Sequence, residues 1–439
     1  MRATILFVIL IVFSMEQGPI KKSRRSKHGE DCYSDAACEE GFICVINRCS
    51  TVYESKNLKN LGLLETNICD LKKKCKGEKI CVKHRCVDKD TPIEQPMNKT
   101  KDIDDVHLIF SGSVILNNKA YLSGIKADNT FNYDHLFKNI EKNIKSADLA
   151  ITTLQTVFHI EENEKKFKKN HKNTPKELGD ALAKAGFKVI LHASPFAYSH
   201  KEKGIIDTLN FWKTNHKDVH PLGIYATMEE CEKNYFIFTQ DNIKIGIINY
   251  SGFSVKNIPK SKQFMINTLS KKRVEEELPK LKQMVDFLIV CVEWGDKTGS
   301  SPNKLQIGWA KSFAEFGADL IVGNYPRYVQ PVTFVKSKNG NKALVVFSLG
   351  SLVYDDKKNK ATLGALGEVI ISKANKKTFI SSFNMIPILN HKTEKEYTIY
   401  TMADYDEDLG LDMDKKFSKE KLRKDCKKLF GGFSHCLGM

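Results

Sequence analysis

Cysteine offers the most regular chemistry in this sequence, because eight of its twelve cysteines recur at fixed spacing near the N-terminus. Gaps of five, five and four residues separate the cysteines in each of two segments, 32–49 and 69–86. The positions are Cys32, Cys38, Cys44, Cys49, Cys69, Cys75, Cys81 and Cys86. The neighbours of these cysteines repeat as well, since Ile43-Cys44-Val45 recurs as Ile80-Cys81-Val82. An internal duplication is the simplest interpretation.

Each four-cysteine module is too short to bury a core, so cross-links must replace burial. Zinc is the competing use of four cysteines, but the two five-residue gaps in each module exceed the spacing of about two to four residues that is usual at zinc sites. We predict two disulfides in each module, with the connectivity open because four cysteines allow three pairings. The modules resemble small dickkopf-like or EB-like extracellular modules. Cys426 and Cys436 are also predicted to pair, which leaves Cys231 and Cys291 as a further candidate pair.

Three residues outside the modules could contribute metal or acid–base chemistry, namely His192, Glu293 and Asp296. Together they could form a single-metal site at the ends of strands. The favoured alternative is that His192 is a hydrogen-bonded core residue and that Glu293 pairs with Arg327 or a lysine. Cys291 lies in an apolar run where a thiol stays protonated, so it is not expected to act as a nucleophile.

The elements that must position these residues follow a polar linker, residues 87–103, and alternate between strands and helices. Strands are predicted at 106–110, 149–151, 189–191, 287–292 and 320–322. Helices are predicted at 202–215 and 305–316, and a capping box at Thr174 with a proline at the first helical position predicts a helix that ends at Ala185. Hairpins are predicted at 236–248 and 332–349. This pattern indicates an α/β fold with strands between helix layers.

The N-terminus and the composition predict an extracellular protein. Residues 1–18 combine Arg2 with a short apolar run, which is typical of a cleavable signal peptide, and no later stretch is apolar enough for a transmembrane segment. The formal charge of +16 favours an anionic glycan, a phospholipid surface or an acidic polymer as partner over a specific nucleic acid. Ordinary solvation of lysine-rich faces is the alternative. Asn98 and Asn249 lie in glycosylation sequons, the second at a predicted strand end where it could be buried.

Several blocks of the large domain resemble the CapA, or poly-γ-glutamate capsule biosynthesis, family, whose fold is similar to that of calcineurin-like metallophosphatases. The resemblance covers residues 106–355 and rests on the order and the intervals of the blocks. The blocks are 110–116, 147–151, 185–187, 293–295, 316–323, 330–331 and 347–353. The resemblance implies a layered α/β/β/α sandwich, which we place at residues 104–400 and follow by a C-terminal tail at 401–439.

The positions at which this family holds metal ions are substituted. Metal-assisted chemistry of this kind needs carboxylate, amide or imidazole ligands for one or two ions. The family's aspartate, asparagine, glutamate and Asn-Asn-His triplet are replaced by Ser113, Thr153, Gln155, Ser194, Pro195 and Phe196. Its later histidines, glutamate and asparagine are replaced by Glu293, Lys297, Asn324, Tyr325, Arg327 and Ser351.

The other residues of the same blocks match the family. The substitutions are therefore concentrated at the positions of the metal ligands. A divalent ion there would gain too little to offset its desolvation. We therefore predict a pseudoenzyme without cofactor that serves binding or adhesion, with Lys297 and Arg327 available to hold an anionic group directly. The alternative is an active CapA-type metal-dependent hydrolase or polymer-biosynthesis enzyme with relocated ligands.

Overall fold

The computed structural model describes residues 104–158, 174–255, 258–355, 363–374, 376–392 and 397–405, Lys424 and four short N-terminal strands. Those strands are β1 (Phe42–Val45), β2 (Arg48–Thr51), β3 (Lys79–Val82) and β4 (Arg85–Asp88). β1 pairs with β2 and β3 with β4 in one antiparallel register, which sets Cys44 opposite Cys49 and Cys81 opposite Cys86. The duplication in the sequence is thus also a duplication of backbone pairing.

Several predictions lie outside the described residues: the signal peptide, the linker from residue 89 onward, the Asn98 sequon, the pairing of Cys426 with Cys436, and four of the eight module cysteines. They remain predictions. The chain divides into two units, Met1–Asp105 with Ser372–Ser381, and Val106–Ile371 with Ser382–Met439. The second unit contains every candidate site residue of the predicted α/β domain.

Fourteen further strands form two sheets. They are β5 (Asp104–Val114), β6 (Leu149–Leu154), β7 (Val189–Leu191), β8 (His220–Leu222), β9 (Tyr235–Gln240), β10 (Ile243–Ser251), β11 (Phe287–Glu293), β12 (Leu320–Asn324), β13 (Val329–Lys336), β14 (Lys342–Leu349), β15 (Ser351–Val353), β16 (Leu363–Ala374), β17 (Lys377–Lys392) and β18 (Tyr397–Thr401). One sheet has the order β18-β17-β16-β5-β6-β7-β8, with β15 paired to β5. The other has the order β13-β14-β12-β11-β10-β9.

Helices cover the outer faces of the sheets. They are α1 (Asn118–Leu122), α2 (Glu141–Lys145), α3 (Glu177–Ala185), α4 (Lys201–Asn215), α5 (Met228–Glu232), α6 (Lys271–Met284) and α7 (Lys304–Glu315), with 3₁₀ turns at Asp134–Leu136 and Lys260–Met265. One apolar core joins α3 and α4 to the sheet of β5, β6 and β7, and a second joins α6 and α7 to the sheet of β10, β11 and β12. The layers are therefore helix, sheet, sheet and helix, as predicted.

Parallel pairing explains where polar residues collect. β5, β6, β7 and β8 are parallel to one another, and so are β10, β11 and β12. β11 is buried along its whole length because neighbouring strands flank it on both sides, which is why its sequence is continuously apolar up to Glu293. The carboxyl ends of the parallel strands in each sheet lie at one edge, where the first polar side chains appear.

The predicted hairpins are confirmed. β9 and β10 pair antiparallel around Asp241 and Asn242, whose φ values of 48° and 59° are those of a tight turn that matches the twist of the strands. β13 and β14 pair antiparallel around Gly340 at φ 91°.

Two local predictions are wrong. Thr174 does not cap the helix that ends at Ala185, because its hydroxyl pairs with that of Thr156 and the helix begins at Glu177 without a side-chain cap. Cys231 and Cys291 do not form a disulfide. Cys231 lies in α5, where its sulfur accepts a hydrogen bond from Arg273 Nη2 at 3.4 Å, whereas Cys291 lies inside β11.

Within the described residues, no helix combines the length and the apolar character needed to cross a membrane.

Candidate functional site

The carboxyl ends of the two sheets meet in a group of buried polar side chains. Strand register brings Ser113 of β5 opposite Thr153 of β6, and Glu293 of β11 opposite Asn324 of β12. Gln155 follows β6 and bonds across to the other sheet. We call these five residues the buried polar cluster, and each of them is at most 3 % exposed.

Glu293 is the acidic centre of the buried polar cluster. Its Oε1 accepts hydrogen bonds from Gln155 Nε2 at 2.5 Å and from Ser113 Oγ at 3.3 Å. Burial raises the pKa of the Glu293 carboxyl to about 8, although both hydrogen bonds and the charge of Arg327 oppose that shift. We expected Glu293 to pair directly with Arg327 or a lysine. Its hydrogen-bond donors are instead the neutral side chains of Gln155 and Ser113.

Neutral hydrogen bonds also hold Asn324, Thr153 and Ser194 among the other substituted positions. Asn324 Nδ2 donates to Thr153 Oγ1 at 2.9 Å, which ties the two sheets together. Ser194 donates its hydroxyl to the carbonyl of Gln155 and accepts the backbone N–H of Phe196 at 3.1 Å. Pro195 and Phe196 are half-buried beside it. Ser351 of β15 lies opposite Ser113 and is fully buried.

Four oxygens in this region are buried and form no hydrogen bond in the structure. They are Gln155 Oε1, Glu293 Oε2, Asn324 Oδ1 and Ser351 Oγ. Three of them are neutral amide or hydroxyl oxygens, and the fourth belongs to a carboxyl group with a raised pKa. As ligands they provide at most one negative charge.

His192, Glu293 and Asp296 do not form the relocated metal site. His192 Nε2 accepts a hydrogen bond from Trp212 Nε1 at 3.1 Å in the core, and burial lowers the pKa of His192 to about 3. Asp296 is exposed and accepts a hydrogen bond from Asn303 Nδ2 at 3.1 Å. Among the described residues, no group of three or more histidine, cysteine, aspartate or glutamate side chains could hold a metal ion.

A second group of side chains lies just beyond the carboxyl ends of the strands. Phe253 follows β10, Lys297 follows β11, Tyr325 and Arg327 follow β12, and Tyr354 follows β15. We call these five residues the cationic-aromatic rim. Arg327 is 4 % exposed and its Cζ lies 4.1 Å from the ring centroid of Tyr354, while Lys297 Nζ is exposed and 5.9 Å from the same centroid. Both predicted anion-binding residues thus face one aromatic ring.

The aromatic side of the rim was not predicted. Phe253 and Tyr325 are half-buried, and their ring centroids lie 4.2 Å apart with the planes at 49°. The only signal in the sequence is position, since Phe253, Tyr325 and Tyr354 each follow the end of a parallel strand within two residues. That signal depends on the strand ends, which spacing alone does not fix.

Asn249 and Cys291 are structural residues of the sheet. Asn249 is 1 % exposed, its Oδ1 accepts the backbone N–H of Ala193 at 2.8 Å, and its Nδ2 donates to the carbonyl of Cys291 at 3.3 Å. The folded chain therefore offers no access for a glycan at Asn249. Burial raises the pKa of the Cys291 thiol, in keeping with an inert side chain.

Comparison with known proteins places this site in a family. Residues 107–356 match the family described as bacterial capsule synthesis protein PGA_cap. The chain belongs to this family. Among curated relatives, it is 23% identical over 305 residues to the PGA biosynthesis protein CapA of Bacillus subtilis (strain 168), covering 68% of this chain and 75% of that protein. It is 24% identical over 236 residues to the capsule biosynthesis protein CapA of Bacillus anthracis, covering 52% of this chain and 55% of that protein.

Solved structures give weaker likenesses. A phosphatase from Mycoplasma pneumoniae aligns with a TM-score of 0.39 at 14% identity, covering 65% of this chain and 94% of that one. A calcineurin-like phosphoesterase from Bacillus subtilis aligns with a TM-score of 0.36 at 13% identity, covering 64% and 90%.

The metal ions that a metallophosphatase-like fold implies do not fit the residues present in this PGA_cap chain. The buried polar cluster supplies one carboxyl group, that of Glu293, and otherwise only amides and hydroxyls. Divalent ions in catalytic sites take several carboxylate or imidazole ligands, which offset the loss of the ion's hydration. We therefore derive no chemical step through a metal.

Proposed function

We propose that this PGA_cap chain is a pseudoenzyme of the CapA type, which binds an anionic polymer and does not transform it. The observation that carries the proposal is the composition of the buried polar cluster, in which Glu293 is the one carboxyl group and its hydrogen-bond partners Gln155 and Ser113 are neutral. A cluster with one carboxyl group and no imidazole offers a divalent ion at most one negative charge, which is too little to offset the loss of the ion's hydration.

The binding role of the proposal rests on the cationic-aromatic rim. Arg327, which is buried, and Lys297, which is exposed, place two positive charges within 5.9 Å of the Tyr354 ring centroid, just beyond the strand ends. Charge-assisted hydrogen bonds from such groups to carboxylate or phosphate oxygens are stronger than neutral ones. The names of the CapA relatives link them to capsule biosynthesis, which makes an acidic polymer outside the cell the natural class of ligand. An extracellular location is part of the proposal, on the strength of residues 1–18 and the cysteine spacing.

Metal content separates this proposal from the alternative of an active metal-dependent enzyme. The protein is purified without chelator, supplied with manganese or zinc, desalted and analysed for metal, in parallel with Glu293→Ala and with Asp296→Ala as a surface control. We expect less than one tenth of an equivalent of metal in all three proteins. A stoichiometric metal that is lost in Glu293→Ala alone, together with manganese-dependent hydrolysis of a phosphoester or a γ-glutamyl polymer, would establish the enzyme and refute the pseudoenzyme.

A further inference from the structure

We infer that the cationic-aromatic rim recognises the sugar rings of an acidic polysaccharide, in which ring faces alternate with carboxylates, and not an extended acidic polypeptide. This inference rests on the proposed function and narrows its ligand to one chemical class. Its basis is the combination, at one edge of the sheets, of an aromatic pair with two cations on a neighbouring ring.

The aromatic pair is held in place by the fold. Tyr325 has φ 91°, a conformation that a bulky residue adopts rarely, and its backbone N–H donates to Ser113 Oγ at 3.4 Å. A strained backbone that persists must be fixed by its surroundings, and such residues concentrate at functional sites. In this conformation the Tyr325 ring contacts that of Phe253, at 4.2 Å between centroids, and both rings are half-buried.

The two cations stand close to this pair. Arg327 follows Tyr325 by two residues, and its backbone N–H donates to the carbonyl of Lys297 at 2.9 Å. The charge of Arg327 acts on the Tyr325 hydroxyl strongly enough to oppose the rise in its pKa that burial causes. Since Arg327 and Lys297 also share the ring of Tyr354, an anion beside that ring meets two positive groups.

The chemistry of the ligand follows from the two parts of the rim. The face of an aromatic ring is electronegative, so it attracts the weakly positive C–H groups that line one face of a sugar ring. The guanidinium of Arg327 offers a planar set of donors that suits a carboxylate. An acidic polypeptide would supply carboxylates to the cations but no ring face to Phe253 and Tyr325, so it would leave half of the rim unused.

The test compares two polyanions of matched length and charge density, polygalacturonate and poly-L-glutamate, by calorimetry at low salt in the presence of EDTA. The full-length purified protein is compared with Phe253→Leu, which keeps apolar volume without a ring, and with Tyr325→Asn, which removes the ring and tolerates positive φ. Tyr325→Phe is the control that keeps the ring. We expect polygalacturonate to bind at least about tenfold more tightly than poly-L-glutamate, and each ring-removing variant to lose about five- to tenfold of that affinity.

The outcomes distinguish this inference from the proposed function. If both polymers bind equally and the ring-removing variants bind as the unchanged protein does, the polysaccharide inference is overturned while anion binding stands. If neither polymer binds, the proposed function fails and the inference with it. Thermal melting of each variant identifies loss of fold, and Phe253→Leu keeps the test decisive if Tyr325→Asn unfolds.

Discussion

The buried polar cluster and the cationic-aromatic rim lie at the same edge of the two sheets but differ in almost every physical property. The cluster is closed to solvent and holds one carboxyl group among neutral hydrogen-bond partners. The rim carries two cations and three aromatic rings, and only Arg327 among its residues is buried. The interior of this PGA_cap chain thus holds one carboxyl group among amides and hydroxyls, and the two cations lie beyond the strand ends, one of them buried and one exposed.

The positions that were predicted to be substituted metal ligands are filled by side chains that contact one another. A charged Glu293 would need a compensating group in the interior. Among the described residues, no cation donates a hydrogen bond to its carboxyl group, and burial raises the pKa of that group to about 8. The hydrogen bond of Asn324 to Thr153 meanwhile joins the two sheets. Side chains of the buried polar cluster therefore contribute to the packing of one sheet on the other.

The largest effect, a loss of stability, is expected when Ser113 is replaced by the aspartate that the family resemblance predicts at this position. Ser113→Asp places a second carboxyl group beside Glu293, whose Oε1 now lies 3.3 Å from the Ser113 hydroxyl. Two buried carboxyl groups cannot both ionise without a cation, so we expect a loss of about 3–5 kcal/mol in the free energy of unfolding at pH 7. Urea denaturation measures it, with Ser113→Asn as the uncharged control of similar size. Equal stability of the two variants would contradict the expected repulsion between the two carboxyl groups, and full rescue of Ser113→Asp by manganese would show that the cluster accepts a metal.

The pH dependence of stability gives the next largest effect. The folded-state pKa of Glu293, about 8, lies above its ordinary value of 4.5, so the folded state holds this proton more tightly than the unfolded state does. The resulting stabilisation is complete below pH 4.5 and is lost as the pH rises through 8. We expect the free energy of unfolding to fall between pH 5 and pH 9 by about 2–4 kcal/mol more in the unchanged protein than in Glu293→Gln. Denaturation of both proteins at the two pH values measures this difference. Parallel pH profiles for the two proteins would mean that Glu293 is charged in the fold.

The contrast between cluster and rim also marks the limit of prediction from sequence. β11 and both hairpins were predicted from apolar runs and turn residues, which are local features of the sequence, whereas the order of the four layers was predicted from the family resemblance. Thr174 looked like a helix cap, yet a tertiary contact with Thr156 takes its hydroxyl. The partners of Glu293 come from strands 138 and 180 residues away in sequence, so no local pattern could indicate them. The strands β16, β17 and β18 were not predicted either.

Binding should respond to the rim and not to the cluster. Arg327→Gln removes the buried guanidinium above Tyr354, and we expect about a tenfold loss of affinity for an acidic polymer at low salt. Arg327→Lys keeps the charge without the planar donor set, so its affinity should lie between those of the unchanged protein and Arg327→Gln. Calorimetry measures these affinities, with Glu293→Gln as the control that should bind as the unchanged protein does. If Glu293→Gln loses more affinity than Arg327→Gln, the polymer binds at the buried polar cluster and not at the rim.

The smallest effect is expected at the exposed cation. Lys297 Nζ lies 5.9 Å from the Tyr354 centroid and is open to solvent, so its attraction for an anion is screened by salt. We expect Lys297→Ala to weaken binding about two- to threefold at low salt and to have no effect near 1 M salt. Titrations at both salt concentrations test this, and a loss that persists at high salt would indicate a direct, desolvated contact.

The central claim is that this CapA-type chain binds an anionic polymer through its rim and without a metal. The most direct measurement is the affinity of the purified protein for an acidic polymer in EDTA and again with added manganese, in parallel with Arg327→Gln. We predict equal affinity in EDTA and in manganese, and a clear loss in Arg327→Gln under both conditions. Binding that requires manganese would contradict metal-free binding, and binding that is unchanged in Arg327→Gln would contradict binding through the rim.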